Sequence, residues 1–151
     1  MSLAVADRLA LSDLVHRYAA GIDDAAVEVV AQLFTAAAEL VLPNPPEVLT
    51  PVQSHRGTDG IRRALQSVTQ VGRTHHSLDS EVYDATAISG TARGRVAATA
   101  HHWNRREDTI TDLVWYLRYD DDYVRTSAGW LLARRRLTID AIETHPARRL
   151  R

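Results

Sequence analysis

The 151-residue sequence contains no cysteine and no lysine, so all 18 of its basic side chains are arginines. The absence of cysteine excludes a thiol nucleophile, a disulfide framework, an iron–sulfur cluster and a cysteine-ligated zinc site. The absence of lysine excludes Schiff-base catalysis, a pyridoxal-phosphate anchor and a P-loop lysine. Any proton transfer must therefore use the seven histidines, the carboxylates and the tyrosines.

The overall charge and length are those of an ordinary globular domain. The formal net charge is -1, which argues against nucleic acid as a partner. A chain of this length can bury one self-sufficient core, so residues 1–151 are predicted to form a single domain. The sequence has no apolar run of about 18 residues and no basic leader, so neither a membrane span nor a targeting segment is predicted. A cytoplasmic protein is the expectation.

Three stretches of the first half show the spacing of amphipathic helices. The first helix carries one apolar stripe, made of Leu11, Leu14, Val15, Tyr18 and Ile22. Asp23 or Asp24 is predicted to cap a second helix, whose apolar face holds Val27, Val30, Leu33 and Phe34. Thr58 is predicted to cap a third helix, with a stripe of Ile61, Ala64, Leu65 and Val68.

The remaining segments predict strands and loops. Four of the five prolines lie in residues 43–56, which are predicted to form a loop over one end of the fold. A short strand is expected at 39–42, and four longer ones at 76–82, 92–104, 110–119 and 130–139. The three aspartates at 120–122 are taken to open a connection, the three arginines at 134–136 to be solvated or at a dimer rim, and residues 143–151 to form a flexible tail.

The resulting order is α-α-β-α-β-β-β-β. Four successive strands without intervening helices imply antiparallel pairing. The predicted fold is an α+β roll, in which three N-terminal helices pack on one face of a curved antiparallel sheet and a pocket lies between the two layers.

Two histidine pairs on predicted strands are the candidate chemical groups. Successive side chains of a strand point to opposite faces, so only one member of each pair can enter a pocket. His76 shares its face with Leu78 and Val82, whereas His75 shares its face with acidic residues, which predicts that His76 points inward. The same alternation leaves open which of His101 and His102 points inward, because small apolar residues lie on both faces of that strand.

Each candidate also has a structural explanation. An inward histidine can be a core residue with a satisfied hydrogen bond, and Asp23 can be only a helix cap. Tyr18 can belong to the core stripe, and Asp112 can be an exposed strand residue. Adjacent histidines do not supply three or four convergent ligands, so no metal site is expected.

Several short motifs, in order and spacing, resemble the SnoaL-like proteins of the NTF2-like superfamily. They comprise the segments 7–23, 33–35, 73–76, 100–102 and 119–137, and the resemblance spans residues 5–142. The resemblance implies a cone-shaped α+β barrel with a deep cavity, in which a curved antiparallel sheet wraps around the helices. It also implies a homodimer formed through the outer face of the sheet.

Within the superfamily, the site pattern is most similar to that of scytalone dehydratase. The resemblance places that enzyme's aspartate on Asp23, its catalytic histidine on His76, and the histidine paired with the aspartate on His101. An asparagine of the enzyme falls on Asp112. The pattern departs at the enzyme's two tyrosines, which fall on Ile22 and about Leu42.

A second superfamily member, ketosteroid isomerase, offers a partial match. Its oxyanion-hole tyrosine falls on Tyr18. Its general base falls on Leu42, followed by Pro43, and leucine cannot take a proton. Isomerase chemistry by that route is therefore disfavoured, while Tyr18 remains a candidate for the group that polarises a carbonyl.

The expected function is that of a cofactor-free acid–base lyase or isomerase for a small hydrophobic cyclic carbonyl or hydroxy compound. His76 would move the proton, Asp23 would orient His101, and Tyr18 would donate to the oxyanion. The expected substrate contacts are Leu42, Asp112, Trp103, Trp115 and Tyr116. No cofactor, metal or membrane partner is expected. The alternatives are a non-catalytic ligand-binding or assembly protein and a polyketide cyclase.

Overall fold

The computed structural model describes residues 2–70 and 72–151 of the chain. Within these residues, the helices are α1 (Val5–Asp23), α2 (Val27–Ala31) and α3 (Gly57–Thr69). The strands are β1 (Phe34–Asn44), β2 (Val48–Arg56), β3 (Arg73–Ala85), β4 (Thr91–Arg106), β5 (Thr109–Thr126) and β6 (Gly129–Ala147). The apolar stripes of α1 and α3 lie where the sequence predicts them.

The strands of the described residues form one six-stranded curved sheet in the order β2-β1-β6-β5-β4-β3. The helices pack on its inner face, and the α+β NTF2-like fold that the sequence predicts is confirmed. The expectation of a purely antiparallel sheet is wrong at one place, because β1 pairs parallel with β6. Within residues 2–70 and 72–151 the other neighbouring strands pair antiparallel.

The proline-rich segment is only partly a loop. Residues 48–56 form β2, although Pro51 lies within them. A proline lacks the N–H that a central strand needs, but β2 is an edge strand with one neighbour, where the loss is tolerated. The predicted loop is therefore reduced to the turn at residues 45–47, next to the cavity described below.

Three polar segments differ from their predictions: the aspartates 120–122, the arginines 134–136 and the C-terminal tail. β5 continues through the three aspartates to Thr126, and Asp121 is buried against Arg135 of β6. Arg135 is fully buried, so the expectation of a solvated side chain is wrong there. β6 pairs with β5 as far as Ala147, so the strand includes the first five residues of the predicted 143–151 tail.

The predicted helix caps are also corrected. α2 has only five residues, its N-cap is Ala26, and no side chain caps it. The carboxylate of Asp23 instead accepts hydrogen bonds from Thr74 and His76. α3 begins at Gly57, one residue before the predicted cap Thr58. Phe34 lies in β1 and not in the second helix.

Two helical glycines predict opposite stability effects. A Cβ at Gly21 would lie 2.5 Å from Cγ2 of the buried Val30, whereas a Cβ at Gly60 would make only ordinary contact at 3.6 Å. Alanine gains about 1 kcal/mol over glycine inside a helix, but overpacking costs about 1–3 kcal/mol. We expect Gly21→Ala to lower the free energy of unfolding by about 1 kcal/mol, since the clash outweighs the helix gain.

Urea unfolding of both variants measures this difference. Gly60→Ala is the matched control and should unfold at a urea concentration equal to or above that of the wild type. A more stable Gly21→Ala variant would show that α1 and α2 can move apart at no cost.

Candidate active site

A cavity of about 310 Å³ lies between the helices and the inner face of the sheet. Its walls are mostly apolar and come from α1, α3, the β1–β2 turn and the central strands. A smaller set of polar side chains faces the same space, namely Tyr18, Asn44, Gln53, Ser67, His76, His102, Asn104 and Tyr119. An apolar cavity with a few convergent polar groups is the usual form of a small-molecule site.

Asp23 and His76 form a partly buried pair at the edge of this cavity. Asp23 is the last residue of α1, and its Oδ1 lies 2.7 Å from Nδ1 of His76. The backbone N–H of His76 donates to Oδ2, and the hydroxyl of Thr74 donates to Oδ1, each at 2.9 Å. The end of α1 is thereby attached to the start of β3 by three hydrogen bonds.

This arrangement determines the protonation pattern of the pair. Burial raises the pKa of Asp23, but the hydrogen bonds from His76 and Thr74 outweigh it and hold that pKa below its ordinary value. A carboxylate only accepts, so Nδ1 of His76 carries the proton. Nε2 is then the nitrogen left for a ligand, and the side chain of His76 is only 7% exposed. The pair has the geometry of a general base with an orienting carboxylate.

His102 is the second histidine of the cavity. Its Nδ1 donates to the backbone carbonyl of Leu113 at 2.9 Å, so Nε2 is its acceptor nitrogen. Burial lowers the pKa of His102, which favours the neutral ring. The ring centroids of His76 and His102 are 6.2 Å apart in an edge-to-face arrangement, and those of His102 and Trp115 are 4.5 Å apart. The site therefore combines one carboxylate-supported imidazole with one neutral imidazole.

The structure corrects the predicted placement of His101. This residue is not among those lining the cavity; its Nδ1 lies 2.7 Å from Oδ2 of Asp112, and its ring stacks on Trp103 at 5.4 Å. The expected pairing of Asp23 with His101 is wrong, because Asp23 binds His76. The opposite orientation of His102 follows from strand alternation.

The other predicted site residues divide between the two faces of the sheet. Tyr18, Leu42 and Trp115 line the cavity, as do Ile22 and His76. Asp112, Trp103 and Tyr116 are not among its lining residues. Asp112 and Trp103 surround His101, and the hydroxyl of Tyr116 donates to Glu143 at 3.2 Å.

Sequence reasoning left the choice between His101 and His102 open and named His101 as the site residue. It missed Tyr119 and a buried ion pair behind the cavity, although signals for them exist. The same face of β4 that carries His101 also carries three arginines, Arg93, Arg95 and Arg105, because they lie an even number of residues from it. Their charges mark this face as the outer one. On β6, Leu137 and Ile139 share the parity of Arg135 and are buried with it. Alternation read over the full length of each strand points to all of these positions.

Tyr18 keeps its proton in this environment. Burial raises its pKa, and the neighbouring charge of Arg135 offsets that rise only in part. The phenol is therefore a hydrogen-bond donor at neutral pH. Among the described residues, no three histidine, aspartate or glutamate side chains are placed to hold a metal ion. Within residues 2–70 and 72–151, no helix is long and apolar enough to cross a membrane.

The comparisons with known proteins agree with this fold. The sequence model of the SnoaL-like domain matches residues 4–136. A proposed scytalone dehydratase from Novosphingobium aromaticivorans superposes with a TM-score of 0.77 at 20% identity, covering 95% of this chain and 91% of its own. A type 2 hexachlorocyclohexane dehydrochlorinase gives a TM-score of 0.76 at 14% identity, covering 97% and 92%.

A third solved structure, an NTF2-like protein with a cystatin-like fold from the same organism as the first, gives a TM-score of 0.64 at 20% identity. It covers 87% of this chain and 80% of its own. At these identities the likenesses establish the fold alone. No protein of curated function matches the sequence.

The buried His102 predicts an acid-sensitive fold. Its folded pKa lies below the ordinary value of 6.5, so the unfolded chain takes up a proton first as the pH falls. The stabilisation from the neutral ring is present above about pH 6.5 and is lost as the pH falls through the folded pKa. We expect the free energy of unfolding to decrease between pH 7 and 5, and to decrease less in His102→Asn.

Urea unfolding at a series of pH values measures this slope. The control is His75→Asn at an exposed histidine, which leaves His102 in place and should retain the acid dependence. Asp23, whose pKa is also lowered, contributes in a separate window below its ordinary value of 3.8. An unchanged slope in His102→Asn would contradict the neutral buried histidine.

Proposed function

The chain belongs to the SnoaL-like domain family, and we propose that it is an acid–base lyase or isomerase that needs no cofactor. Its substrate is a small, mostly apolar cyclic carbonyl compound that bears a hydroxyl group. The observation that carries this proposal is the Asp23–His76 pair at the wall of an apolar cavity. Such a pair places a basic nitrogen, a charge-balancing carboxylate and a binding space together.

The reaction follows from the chemistry of this pair. Nε2 of His76 removes a proton from the carbon next to the carbonyl, and Asp23 stabilises the imidazolium that forms. The electrons of the C–H bond pass to the carbonyl oxygen as an enolate, to which Tyr18 donates a hydrogen bond. The enolate oxygen then re-forms the carbonyl, the electrons of the enolate C=C bond form a new double bond between the α and β carbons, and the β C–O bond breaks. The imidazolium returns its proton to the leaving hydroxide, and water is released.

His102 gives the cavity a preference for a hydroxylated substrate. Since Nδ1 donates to Leu113 and the ring is neutral, Nε2 can only accept a hydrogen bond. A ligand hydroxyl supplies the matching donor, whereas a methyl ether cannot. An analogue that lacks the donor leaves the buried acceptor of the site without a hydrogen bond, and the site therefore discriminates strongly against it.

The names of two structurally similar proteins support elimination chemistry. A dehydratase removes water from its substrate, and a dehydrochlorinase removes hydrogen chloride. In both reactions a base takes a proton and a neighbouring carbon loses its substituent. The Asp23–His76 pair supplies the base for this type of reaction, and the apolar cavity supplies the site.

Solvent exchange tests this function without a known substrate. The protein is incubated in D₂O with 3-hydroxycyclohexanone, its 3-methoxy analogue and larger bicyclic hydroxyketones. Proton NMR then measures deuterium uptake next to the carbonyl and formation of the enone. We expect exchange and elimination with the hydroxyketones, and a loss of about 10²–10⁴-fold in His76→Gln because general-base catalysis is removed.

The matched control is His101→Gln. The Asp112–His101 pair has the same 2.7 Å Nδ1–carboxylate distance as Asp23–His76 but does not line the cavity. The His101→Gln variant should retain the wild-type rate of deuterium exchange. Equal losses in the two variants would overturn the assignment of His76. Ligands that raise the melting temperature but never exchange would instead indicate a non-catalytic binding protein.

We also propose that the protein is a homodimer formed through the outer face of the sheet. This face carries Trp103 and the partly exposed Tyr116, beside the His101–Asp112 pair. Trp103→Glu should convert a dimer into a monomer, as measured by size-exclusion chromatography with light scattering. The control Ile88→Glu, at an exposed apolar side chain in the β3–β4 connection, should remain dimeric. A wild-type monomer would contradict the proposal.

A further inference from the structure

We infer that Arg135 is a positioning residue of this site, which holds Tyr18 and Tyr119 as a pair of hydrogen-bond donors toward the ligand oxygen that becomes negative. This inference rests on the proposed function and deepens it. Arg135 is not among the residues that line the cavity, so it would act through the two tyrosines, which do line it.

The guanidinium of Arg135 lies against both aromatic rings. Its central carbon is 4.2 Å from the ring centroid of Tyr18 and 3.9 Å from that of Tyr119. The two rings themselves meet edge to face at 5.7 Å. A cation at this distance from a ring is attracted by the ring's electrons, so one arginine fixes two side chains from different elements, α1 and β5.

Asp121 fixes the arginine in turn. Nε and Nη2 of Arg135 donate to its two carboxylate oxygens at 2.9 and 2.7 Å, and the hydroxyl of Tyr123 donates to the same carboxylate at 2.6 Å. The side chains of Arg135 and Asp121 are 1% and 0% exposed. Nη1 of Arg135 has no hydrogen-bond partner among the described residues.

A buried ion pair of this kind is not explained by stability alone. Moving two charges out of water costs several kcal/mol, and well-packed apolar residues are often as stable in the same place. Tyr18, Tyr119 and Arg135 could have formed an apolar core layer if Arg135 were leucine or methionine. The cation of the Arg135–Asp121 pair lies between two phenols that line the cavity. A cation there can act on both phenols, whereas an apolar side chain cannot.

Several charged groups act on these phenols. Burial raises the pKa of both tyrosines, and that of Tyr119 is well above its ordinary range. Arg135 on β6 opposes the rise in both cases, whereas Asp121 on β5 adds to it, as Asp23 on α1 does for Tyr119. Both phenols therefore stay protonated at neutral pH, and the adjacent cation strengthens the hydrogen bonds that they donate to an anionic oxygen.

The binding of a small aromatic oxyanion isolates this effect from turnover. The probe is 4-nitrophenolate, and 4-nitroanisole is its neutral analogue of similar shape. Both are measured at about pH 9, above the ordinary pKa of histidine, so that an imidazolium does not contribute. The measured quantity is the ratio of the two dissociation constants, which cancels changes in cavity shape that affect both ligands.

Two variants separate the charge of Arg135 from its packing. Arg135→Met combined with Asp121→Asn removes both charges together and leaves no unpaired buried ion. We expect this double variant to lose about tenfold of its preference for the phenolate, since hydrogen bonds to charged acceptors weaken without the cation. Arg135→Lys keeps the charge and should retain most of the preference. Circular dichroism and the melting temperature establish that each variant is folded.

An unchanged ratio in the folded double variant would overturn the inference and leave Arg135 a structural residue. If the double variant does not fold, Tyr18→Phe and Tyr119→Phe test the donor part of the inference, because each removes one hydroxyl and keeps its ring against the guanidinium. The phenolate preference must fall in both, and a preference that survives both changes would also overturn the inference. Since no turnover is required, these results are independent of whether His76 catalyses exchange.

Discussion

The hydrogen bonds of the Asp23 carboxylate join the end of α1 to the beginning of β3, and the geometry of the cavity depends on them. The carboxylate accepts from a side chain and the backbone of His76 and from Thr74. It therefore sets the distance between the end of α1 and the sheet next to His76, which lines the cavity. The same contacts set the tautomer of His76, so that packing and chemistry are determined by one group.

Among the residues that the structure describes, two Asp–His pairs have the same 2.7 Å distance between Nδ1 and the carboxylate, and their surroundings differ. Asp23–His76 borders an apolar cavity, whereas Asp112–His101 lies beside Trp103 away from it. Both pairs join Nδ1 of a histidine to a carboxylate at 2.7 Å, but Asp23 also accepts hydrogen bonds from Thr74 and from the backbone of His76. The two histidines lie on opposite faces of the sheet, which decides which of them reaches the cavity. Only the cavity pair has both a basic nitrogen and a bounded space in which a substrate can be held.

A second layer of polar groups lies behind the cavity, where a core is usually apolar. Arg135 and Asp121 are buried together, and the cation contacts two phenols that reach the cavity wall. His102, by contrast, has only a backbone acceptor, so burial keeps it neutral. The site thus brings together an imidazole bound to a carboxylate, a neutral imidazole and phenols that contact a cation, each adjusted by its immediate neighbours.

The sequence alone determined the α+β class, the two longer helices and the inward orientation of His76. These features depend on local periodicity, which a sequence displays directly. The parity argument for His76 succeeded although Val82, one of its supports, is exposed. The register of β3 shifts between Leu78 and Ser80, and this irregularity reverses the faces beyond it without affecting the residues before it.

The tertiary structure decided which groups meet. The parallel pairing of β1 with β6 joins strands far apart in the sequence, and the contact of Arg135 with Asp121 joins two neighbouring strands. Strand alternation gives the faces of His102 and Arg135, but only the assembled sheet places a cavity beside the one and a carboxylate beside the other. A short polar run looks the same whether it is solvated or paired, because its partner lies on another strand. Burial of charge is favourable only when that partner is present, and its presence is a property of the assembled sheet.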